Sequence, residues 1–192
     1  MMTGRWKWLG ANQVWLGCPQ PFCFMAEMDA AVASVRTMMI ARGRQICIFS
    51  IDKSKTLPPV STDCYEDDIA FYDFGLFFDS SMYLVKGKRH KKFRNNGILH
   101  EDQTIENELR AIYDDVKYTT IDAAIANEFV AILYKGDKAI TYKLTNITID
   151  KQITTMPIKY LDAAVYLRQQ QIAYVFKGPL AYVGHFADID EK

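Results

Sequence analysis

Two neighbouring stretches of opposite charge hold the residues best suited to bind a ligand. The basic tract, residues 86–94, reads Lys-Gly-Lys-Arg-His-Lys-Lys-Phe-Arg and carries six permanent positive charges in nine positions. The acidic stretch, residues 63–79, carries six carboxylates and neither lysine nor arginine. The whole chain is neutral, with 23 basic and 23 acidic residues. The charge is therefore segregated, and segregated charge creates a local field that steers a charged partner.

The basic tract has the chemistry of an anion-binding surface. Lysine and arginine neutralise phosphates, and Phe93 offers a ring that can stack on an unpaired base. An acidic protein surface is an equally suitable partner, and so is the acidic stretch of the same chain or of a neighbouring subunit. Because Asn95-Asn96-Gly97 follows as a strong turn signal, we expect the tract at an exposed loop or hairpin end. The candidate anion- or partner-binding residues are Lys86, Lys88, Arg89, Lys91, Lys92, Phe93 and Arg94.

The sequence predicts no metal site and no cofactor. Carboxylates suit Mg²⁺, but Glu66, Asp67 and Asp68 are consecutive, and successive side chains of a strand point to opposite faces. Cys18 and Cys23 are separated by four residues, and three scattered histidines do not complete a zinc site with them. The chain also lacks the glycine-rich, HExxH and GxSxG motifs. Whether it is an enzyme stays uncertain, and these absences favour the answer no.

Length and composition predict one packed domain. Of the 192 residues, 49% are apolar, enough for a core. The loop at 52–63, which contains Pro58-Pro59, is the one candidate boundary, so an N-terminal extension or subdomain 1–61 is the alternative. No apolar run approaches the roughly 18–20 residues that span a bilayer, and the N-terminus lacks a signal-peptide pattern. We therefore expect a cytoplasmic protein without a membrane partner, and its cysteines reduced.

Hydrophobic periodicity predicts an α+β fold, with largely antiparallel sheet and three main helices packed on it. The helices are expected at 26–42, 104–117 and 157–170, and a shorter one near 120–127. Strands are expected at 45–51, 69–72, 75–78 and 82–86. Two hairpins, 129–144 and 171–186, are expected to turn at Lys135-Gly136-Asp137 and Gly178-Pro179.

A five-residue pattern occurs three times, at 28–32, 121–125 and 161–165. Each copy has Asp-Ala-Ala between two apolar residues, and the last two copies precede a hairpin that turns at Lys-Gly. One interpretation is a duplicated helix–hairpin unit. The other is that Asp followed by Ala is simply a good helix start. The flanking sequences do not match, which favours the second interpretation.

Part of the chain resembles a known enzyme family. Residues 69–81, ending in Asp79-Ser80-Ser81, look like the paired opening strands of proteasome-β-type N-terminal-nucleophile hydrolases. Segments 91–99, 101–116 and 129–144 are similar to the basic segment, first helix and later hairpin of that family. The resemblance implies a nucleophile about sixteen residues before the aspartate, near Thr62 or Cys64, exposed only by cleavage of the chain. The family's lysine falls near Asn95, which departs from the pattern.

These observations favour a soluble, non-enzymatic binding or assembly protein that acts through a charge-polarised surface. The predicted partner is another protein with an acidic surface, or a second copy of the chain. The first alternative is a nucleic-acid-binding protein that uses the basic tract. The second is a proteasome-β-like hydrolase or an inactive relative of one.

Overall fold

The described residues of the computed structural model form four antiparallel sheets of four strands each. They cover residues 6–11, 27–51, 61–78, 80–104, 120–127, 130–144 and 149–185. We call each four-stranded sheet a blade. Blade 1 contains β2 (Ala30–Ala33), β3 (Thr37–Arg42), β4 (Gln45–Ser50) and β5 (Ser61–Glu66). Blade 2 contains β6 (Phe74–Phe78), β7 (Ser81–Lys86), β8 (Arg89–Phe93) and β9 (Leu99–Thr104).

The other two blades follow the same plan. Blade 3 contains β10 (Ala123–Ala126), β11 (Val130–Lys135), β12 (Lys138–Leu144) and β13 (Ile149–Thr155). Blade 4 contains β14 (Ala163–Leu167), β15 (Ile172–Lys177) and β16 (Leu180–His185), and its fourth strand is β1 (Lys7–Ala11). Because β1 pairs antiparallel with β16, the first and last described strands of the chain share one sheet.

The first strands of the four blades surround a common axis. Strand β2 contacts both β6 and β14, and β10 also contacts both. The sheets therefore form a closed ring, a four-bladed β-propeller, with the innermost strands lining a central channel. At Gly75 a Cβ atom would stand 2.3 Å from the carbonyl oxygen of Ala31. Only glycine permits this approach between blades 1 and 2.

The apolar core is divided among the four interfaces between blades. Ala31 and Ala33 of β2 belong to the cluster shared with blade 4, whereas Ala30 and Val32 belong to the cluster shared with blade 2. An innermost strand is thus buried on both faces, and all four residues of β2 are at most 6% exposed. This burial explains why the strand has no polar alternation.

The predicted α+β class is wrong, because the described residues contain no helix. The segments expected to be helices at 26–42, 120–127 and 157–170 instead contain β2 and β3, β10, and β14. Their alanine-rich apolar runs have high helix propensity, but burial on both faces decides in favour of strands. Of the helix expected at 104–117, Thr104 ends β9, and 105–117 lies outside the described residues. The strand expected at 69–72 is also wrong, since this segment links β5 to β6.

The other strand predictions are confirmed within one or two residues. They correspond to β4, β6, β7, β11, β12, β15 and β16. In each blade the second and third strands are joined by a turn that begins with Gly43, Gly87, Gly136 or Gly178. All four glycines have φ between 52° and 59°, as the first position of a type II′ hairpin turn requires.

Cys47 and Cys64 form a disulfide between β4 and β5, with Cα atoms 4.1 Å apart. The expectation of reduced cysteines is therefore wrong for this pair. The bond joins the edge strand of blade 1 to its neighbour, and Cys18 and Cys23 lie outside the described residues. The described residues also contain no helix that is long and apolar enough to cross a membrane. The single-domain prediction remains a prediction.

Candidate ligand-binding site at the channel mouth

An open cavity of about 1250 Å³ lies at the end of the channel where the innermost strands begin. We call it the channel mouth. All four blades contribute to its walls, since the segments that lead into β2, β6, β10 and β14 all line it. A ligand here would contact every blade, because residues from the whole ring line this cavity.

One aspartate per blade stands at the mouth, directly before the innermost strand. The four are Asp29, Asp73, Asp122 and Asp162. The backbone N–H of each donates to the second strand of its own blade, over 2.7–3.0 Å. Each carboxylate accepts from the N–H of the turn glycine that follows it by 14 or 16 residues. The aspartate thus ties the start of a blade to its hairpin turn, and this contact recurs in all four blades.

Two large aromatic side chains stand at the rim of the mouth. Phe71 and Tyr160 are 64% and 67% exposed, and their φ angles are 56° and 53°. Each lies two residues before the aspartate of its blade, in the position that Glu27 and Thr120 occupy in blades 1 and 3. Because blades 2 and 4 are opposite each other in the ring, the two rings flank the mouth from opposite sides. Bulky residues avoid the left-handed region, and such strain concentrates at functional sites.

The mouth carries more negative than positive groups. Among its described lining residues, five carboxylates accompany three lysines. Two of the lysines already have partners, since Lys86 Nζ lies 2.6 Å from Asp73 and Lys177 Nζ donates to the carbonyl oxygen of Lys159 over 2.6 Å. The carboxylates of Glu27, Asp29 and Asp162 are close enough to repel one another, and Lys177 partly offsets this repulsion at Asp162.

The pKa values of two of the aspartates reflect this charge. Burial raises the pKa of Asp162, and the carboxylates of Glu27 and Asp29 raise it further. Burial likewise raises the pKa of Asp29, with Glu27 adding to the effect. The Gly178 and Gly43 N–H groups oppose these shifts without cancelling them. Burial makes the charged form of these two carboxylates costly, even with Arg42 and Lys86 near Asp29 and Lys177 near Asp162, so both are suited to accept hydrogen bonds from a further positive group.

The basic tract lies away from the mouth, apart from Lys86, and forms the turn and third strand of blade 2. The expected exposure is wrong for Phe93, which is fully buried, and for Lys91, which is 6% exposed. Lys91 Nζ lies 2.5 Å from Asp67 and also pairs with Asp68. Arg89 lies 4.0 Å from Asp68. Much of the tract therefore docks on the acidic stretch of its own chain, which was one of the alternatives open from sequence.

The exposed residues of the tract are Lys86, Lys88, Arg89 and Arg94, and Lys92 is half-buried. Lys92 Nζ lies 5.8 Å from the centre of the Tyr83 ring. Binding of an anion or a partner by these residues remains a prediction. In the described part of the chain, no cluster of three or more His, Cys, Asp or Glu residues could hold a metal ion.

No protein-family model matches the sequence, and no curated protein matches it either. Solved structures do match. A hemopexin-fold protein, CP4 from cow pea, has 14% identity and a TM-score of 0.56, over 79% of this chain and 83% of that one. A 2S albumin seed protein from Dolichos has 14% identity and a TM-score of 0.60, over 84% and 88%. A plant lectin with two metal-binding sites from Cicer arietinum has 14% identity and a TM-score of 0.61, over 86% and 89%.

At this identity the matches show the fold alone, and the fold is the one that the cow pea protein is named for, the hemopexin fold. The neighbours are all-β seed proteins, so the resemblance to proteasome-β-type hydrolases is wrong. The strands at 74–78 and 81–86, followed by a basic segment, resemble one hairpin of that family, but the described residues contain no helix. Cys64, one of the two proposed nucleophiles, forms the disulfide with Cys47.

The four aspartates of the channel mouth were not predicted as a site, although a repeated sequence pattern marks them. Each blade has an aspartate before a small apolar strand and a basic residue with glycine 13–16 positions later. Three of the four aspartates fell within the Asp-Ala-Ala pattern, and the interpretation as a helix start was wrong. Blade 2 has Asp73-Phe74-Gly75 in place of Asp-Ala-Ala. Because of this departure, the four copies of the repeat were not seen in the sequence. A search for Asp followed at 14 residues by Gly finds blades 1, 2 and 3 at once.

Proposed function

We propose that this chain is a non-enzymatic binding protein that holds a small organic cation at the channel mouth. The observation that carries the proposal is the excess of carboxylates at the mouth, combined with two exposed aromatic rings on opposite sides of it. The solved neighbours, a seed albumin and a lectin, are compatible with a binding protein.

The electrostatics favour a positively charged ligand. An ammonium group near Glu27, Asp29 and Asp162 would relieve the repulsion that contributes to the raised pKa values of the two aspartates. Aromatic ring faces attract a cation within about 6 Å of their centres. Lys177 Nζ already lies 5.9 Å from the centre of the Tyr160 ring, so a ligand cation would share this ring with Lys177, whereas Phe71 offers a second ring. The volume of about 1250 Å³ admits a ligand of the size that protein pockets usually hold.

Calorimetric titration with choline tests this proposal, with its neutral isostere 3,3-dimethyl-1-butanol, in which carbon replaces nitrogen, as the matched ligand. The cation should bind and the isostere should not. Tyr160→Ala should weaken binding by roughly 2- to 30-fold, the range of one cation–π contact. Ile153→Ala, which removes an exposed side chain outside the mouth, is the control variant. Equal binding of the two ligands would refute the role of charge.

The pH dependence of the same titration has a predicted sign. The pKa values of Asp29 and Asp162 are raised above 3.8, so these groups gain protons at a higher pH than ordinary aspartates. Affinity for the cation should therefore fall on acidification, beginning above pH 4. An affinity that is constant from pH 7 to pH 4 would show that neither carboxylate contributes to binding.

A carbohydrate ligand is the second candidate, and the two exposed aromatic rings favour it, since an aromatic face can also pack against a sugar ring. Two of the neighbours are named as a lectin and as an albumin showing hemagglutination. A glycan array with the full chain tests this candidate. Binding to neutral glycans that Phe71→Ala abolishes would support it, and this binding should be insensitive to pH between 4 and 7.

A cytoplasmic location remains a proposal. The Cys47–Cys64 disulfide opposes it, because disulfides persist mainly in oxidising compartments. Free-thiol quantification on protein taken directly from the source cells, with thiols blocked at lysis, decides between a reduced and an oxidised pair. A reduced pair in the cell would agree with the cytoplasm.

A further inference from the structure

We propose that a groove at the rim of blade 2 binds a phosphate or sulfate group, independently of the channel mouth. The groove has a volume of about 570 Å³. Its described lining residues are Ser80, Ser81, Lys92, Arg94, Asn95 and Asn96. All six side chains can donate hydrogen bonds, and none of them is a carboxylate. The groove is therefore opposite in charge to the channel mouth.

Two hairpin ends bring these residues together. Met82 of β7 pairs with Phe93 of β8, so Ser81 and Arg94 are the next residues along the two antiparallel strands. The turn that follows is closed by bonds from Gly97 N to the Arg94 carbonyl and from Arg94 N to the Ile98 carbonyl, both 2.9 Å. This backbone geometry holds the base of the groove independently of any ligand.

Blade 1 and a local turn orient the two asparagines. Ser34 Oγ of blade 1 donates to the carbonyl oxygen of Asn95 over 2.9 Å. The side-chain oxygen of Asn96 accepts from the N–H of Ile98 over 3.2 Å. Because the Asn96 oxygen is used within the turn, its NH₂ group is the end left to donate to a ligand. An amide fixed in this way discriminates in favour of an acceptor.

Arg94 is the main anchor in this proposal. It is exposed, and its guanidinium can donate two parallel hydrogen bonds to one oxyanion. Lys92 adds a second positive charge, although it lies opposite Glu101 in the β8–β9 register and near the Tyr83 ring. A tetrahedral oxyanion has several oxygens that can accept hydrogen bonds. The groove offers donors from both strands and from the turn, so more than one oxygen can be bound at once.

Titration of the full chain with inorganic phosphate and with sulfate, followed by backbone amide shifts in low salt, tests the proposal. The shifts should saturate and should centre on residues 80–81 and 92–97. Arg94→Ala should weaken binding about tenfold or more, the value of one charge-assisted hydrogen bond. Lys88→Ala is the matched control, because it removes an exposed charge of the same tract that lies outside the groove. The affinity of Lys88→Ala for phosphate and sulfate should stay within twofold of the wild-type value.

Asn96→Asp provides a sharper variant. An aspartate oxygen can still accept from the Ile98 N–H, so the turn is kept while a negative charge enters the groove. Binding should be lost with an unchanged melting curve. Titration without saturation, or equal weakening by Lys88→Ala and Arg94→Ala, would overturn the proposal.

Titration with inorganic phosphate, a sulfated monosaccharide and a short single-stranded oligonucleotide distinguishes a free ion from an oxyanion carried by a glycan or by a nucleic acid. Tighter binding of the sulfated sugar than of free sulfate, lost in Arg94→Ala, would place the oxyanion on a glycan. Equal affinities for the free and esterified ions would indicate a site for the free ion. An oligonucleotide that binds with a steep salt dependence, and loses affinity equally in Lys88→Ala and Arg94→Ala, would show a diffuse polycationic surface and no groove site.

Discussion

The junction between blades 1 and 2 and the junction between blades 3 and 4 have the same backbone and different side-chain chemistry. At the junction of blades 1 and 2, the backbone N–H groups of Asp67 and Phe71 donate to the carbonyl oxygens of Arg44 and Gly43, over 2.7 and 2.8 Å. In the second, Met156 and Tyr160 donate to Asp137 and Gly136, both over 2.8 Å. Each linker therefore lies over the hairpin turn of the preceding blade, and Asp67 and Met156 occupy equivalent positions.

The side chains at these equivalent positions differ in kind. Asp67 pairs with Lys91, which lies four residues after the turn glycine of blade 2. The residue four positions after the turn glycine of blade 4 is Tyr182, and it packs in the same apolar cluster as Met156. One junction is thus closed by a buried ion pair and the other by an apolar contact. The comparison shows that backbone hydrogen bonds specify where the blades meet in this fold. The side chains packed at the junction can be either an ion pair or an apolar contact.

Lys91→Met should have the largest effect on stability. It leaves the Asp67 carboxylate, whose side chain is 3% exposed, without its cation in the core of the first junction. Removal of one partner of a buried ion pair costs about 3–5 kcal/mol. Urea denaturation measures this loss, and Lys88→Met, which changes an exposed lysine of the same strand pair, is the control. A loss below 1 kcal/mol would mean that the pair is solvated in solution.

Met156→Ala should weaken the second junction by a similar or smaller amount. Met156 is 6% exposed, and truncation of a buried methionine to alanine costs about 2–5 kcal/mol. The loss should not depend on salt, whereas the loss for Lys91→Met should. Denaturation at low and high salt compares the two variants. A salt-dependent loss at Met156 would contradict the apolar description of this junction.

Substitution of the turn glycines should cost about the same in both junctions. Gly43 and Gly136 have φ angles of 54° and 59°, and alanine in the left-handed region costs about 1–2 kcal/mol. A Cβ atom would meet nothing within 4 Å at Gly43, and the Tyr160 ring at 3.6 Å at Gly136, which is an ordinary contact. Unfolding of Gly43→Ala and Gly136→Ala should therefore differ by less than about 1 kcal/mol. A large difference would show that the shared backbone does not contribute equally.

Acid should weaken the first junction and leave the second unaffected. The hydrogen bond from Lys91 holds the pKa of Asp68 well below its usual range. The unfolded value is about 3.9, so the stability that Asp68 contributes is present above that pH and is lost as the pH falls towards the folded pKa. Stability measured between about pH 5 and pH 2.5 should fall less steeply in Asp68→Asn than in the wild type. Parallel curves for the two proteins would exclude this role for Asp68.

The double variant Asp67→Met with Lys91→Tyr should have the smallest effect. It copies the side chains of the second junction into the first, and replacement of a buried ion pair by packed apolar groups is often neutral or stabilising. We expect the double variant to lie within about 1–2 kcal/mol of the wild type, far from the sum of the single substitutions. Additive losses would mean that the first junction requires its ion pair for packing as well as for charge.

Much of the local structure was predictable from sequence because local chemistry decides it. Glycine after a basic residue marks the turns at 136 and 178, since only glycine adopts the required φ at little cost. The strands β11, β12, β15 and β16, which are rich in β-branched and aromatic residues, were found beside these turns. Lys91 was predicted to lie on an exposed binding surface, and its buried pairing with Asp67 could not be assigned from sequence, because an external anion satisfies its charge equally well.

The sequence by itself determined the turns, the strands beside them and the segregation of charge into two stretches. Tertiary structure alone decided the state of the innermost strands, such as 30–33 and 123–126, because their runs favour a helix until neighbouring blades bury both faces. It also decided the channel mouth. The four aspartates are 40 or more residues apart in the chain, and they share one cavity only because the closed ring brings the start of every innermost strand to the same end of the axis.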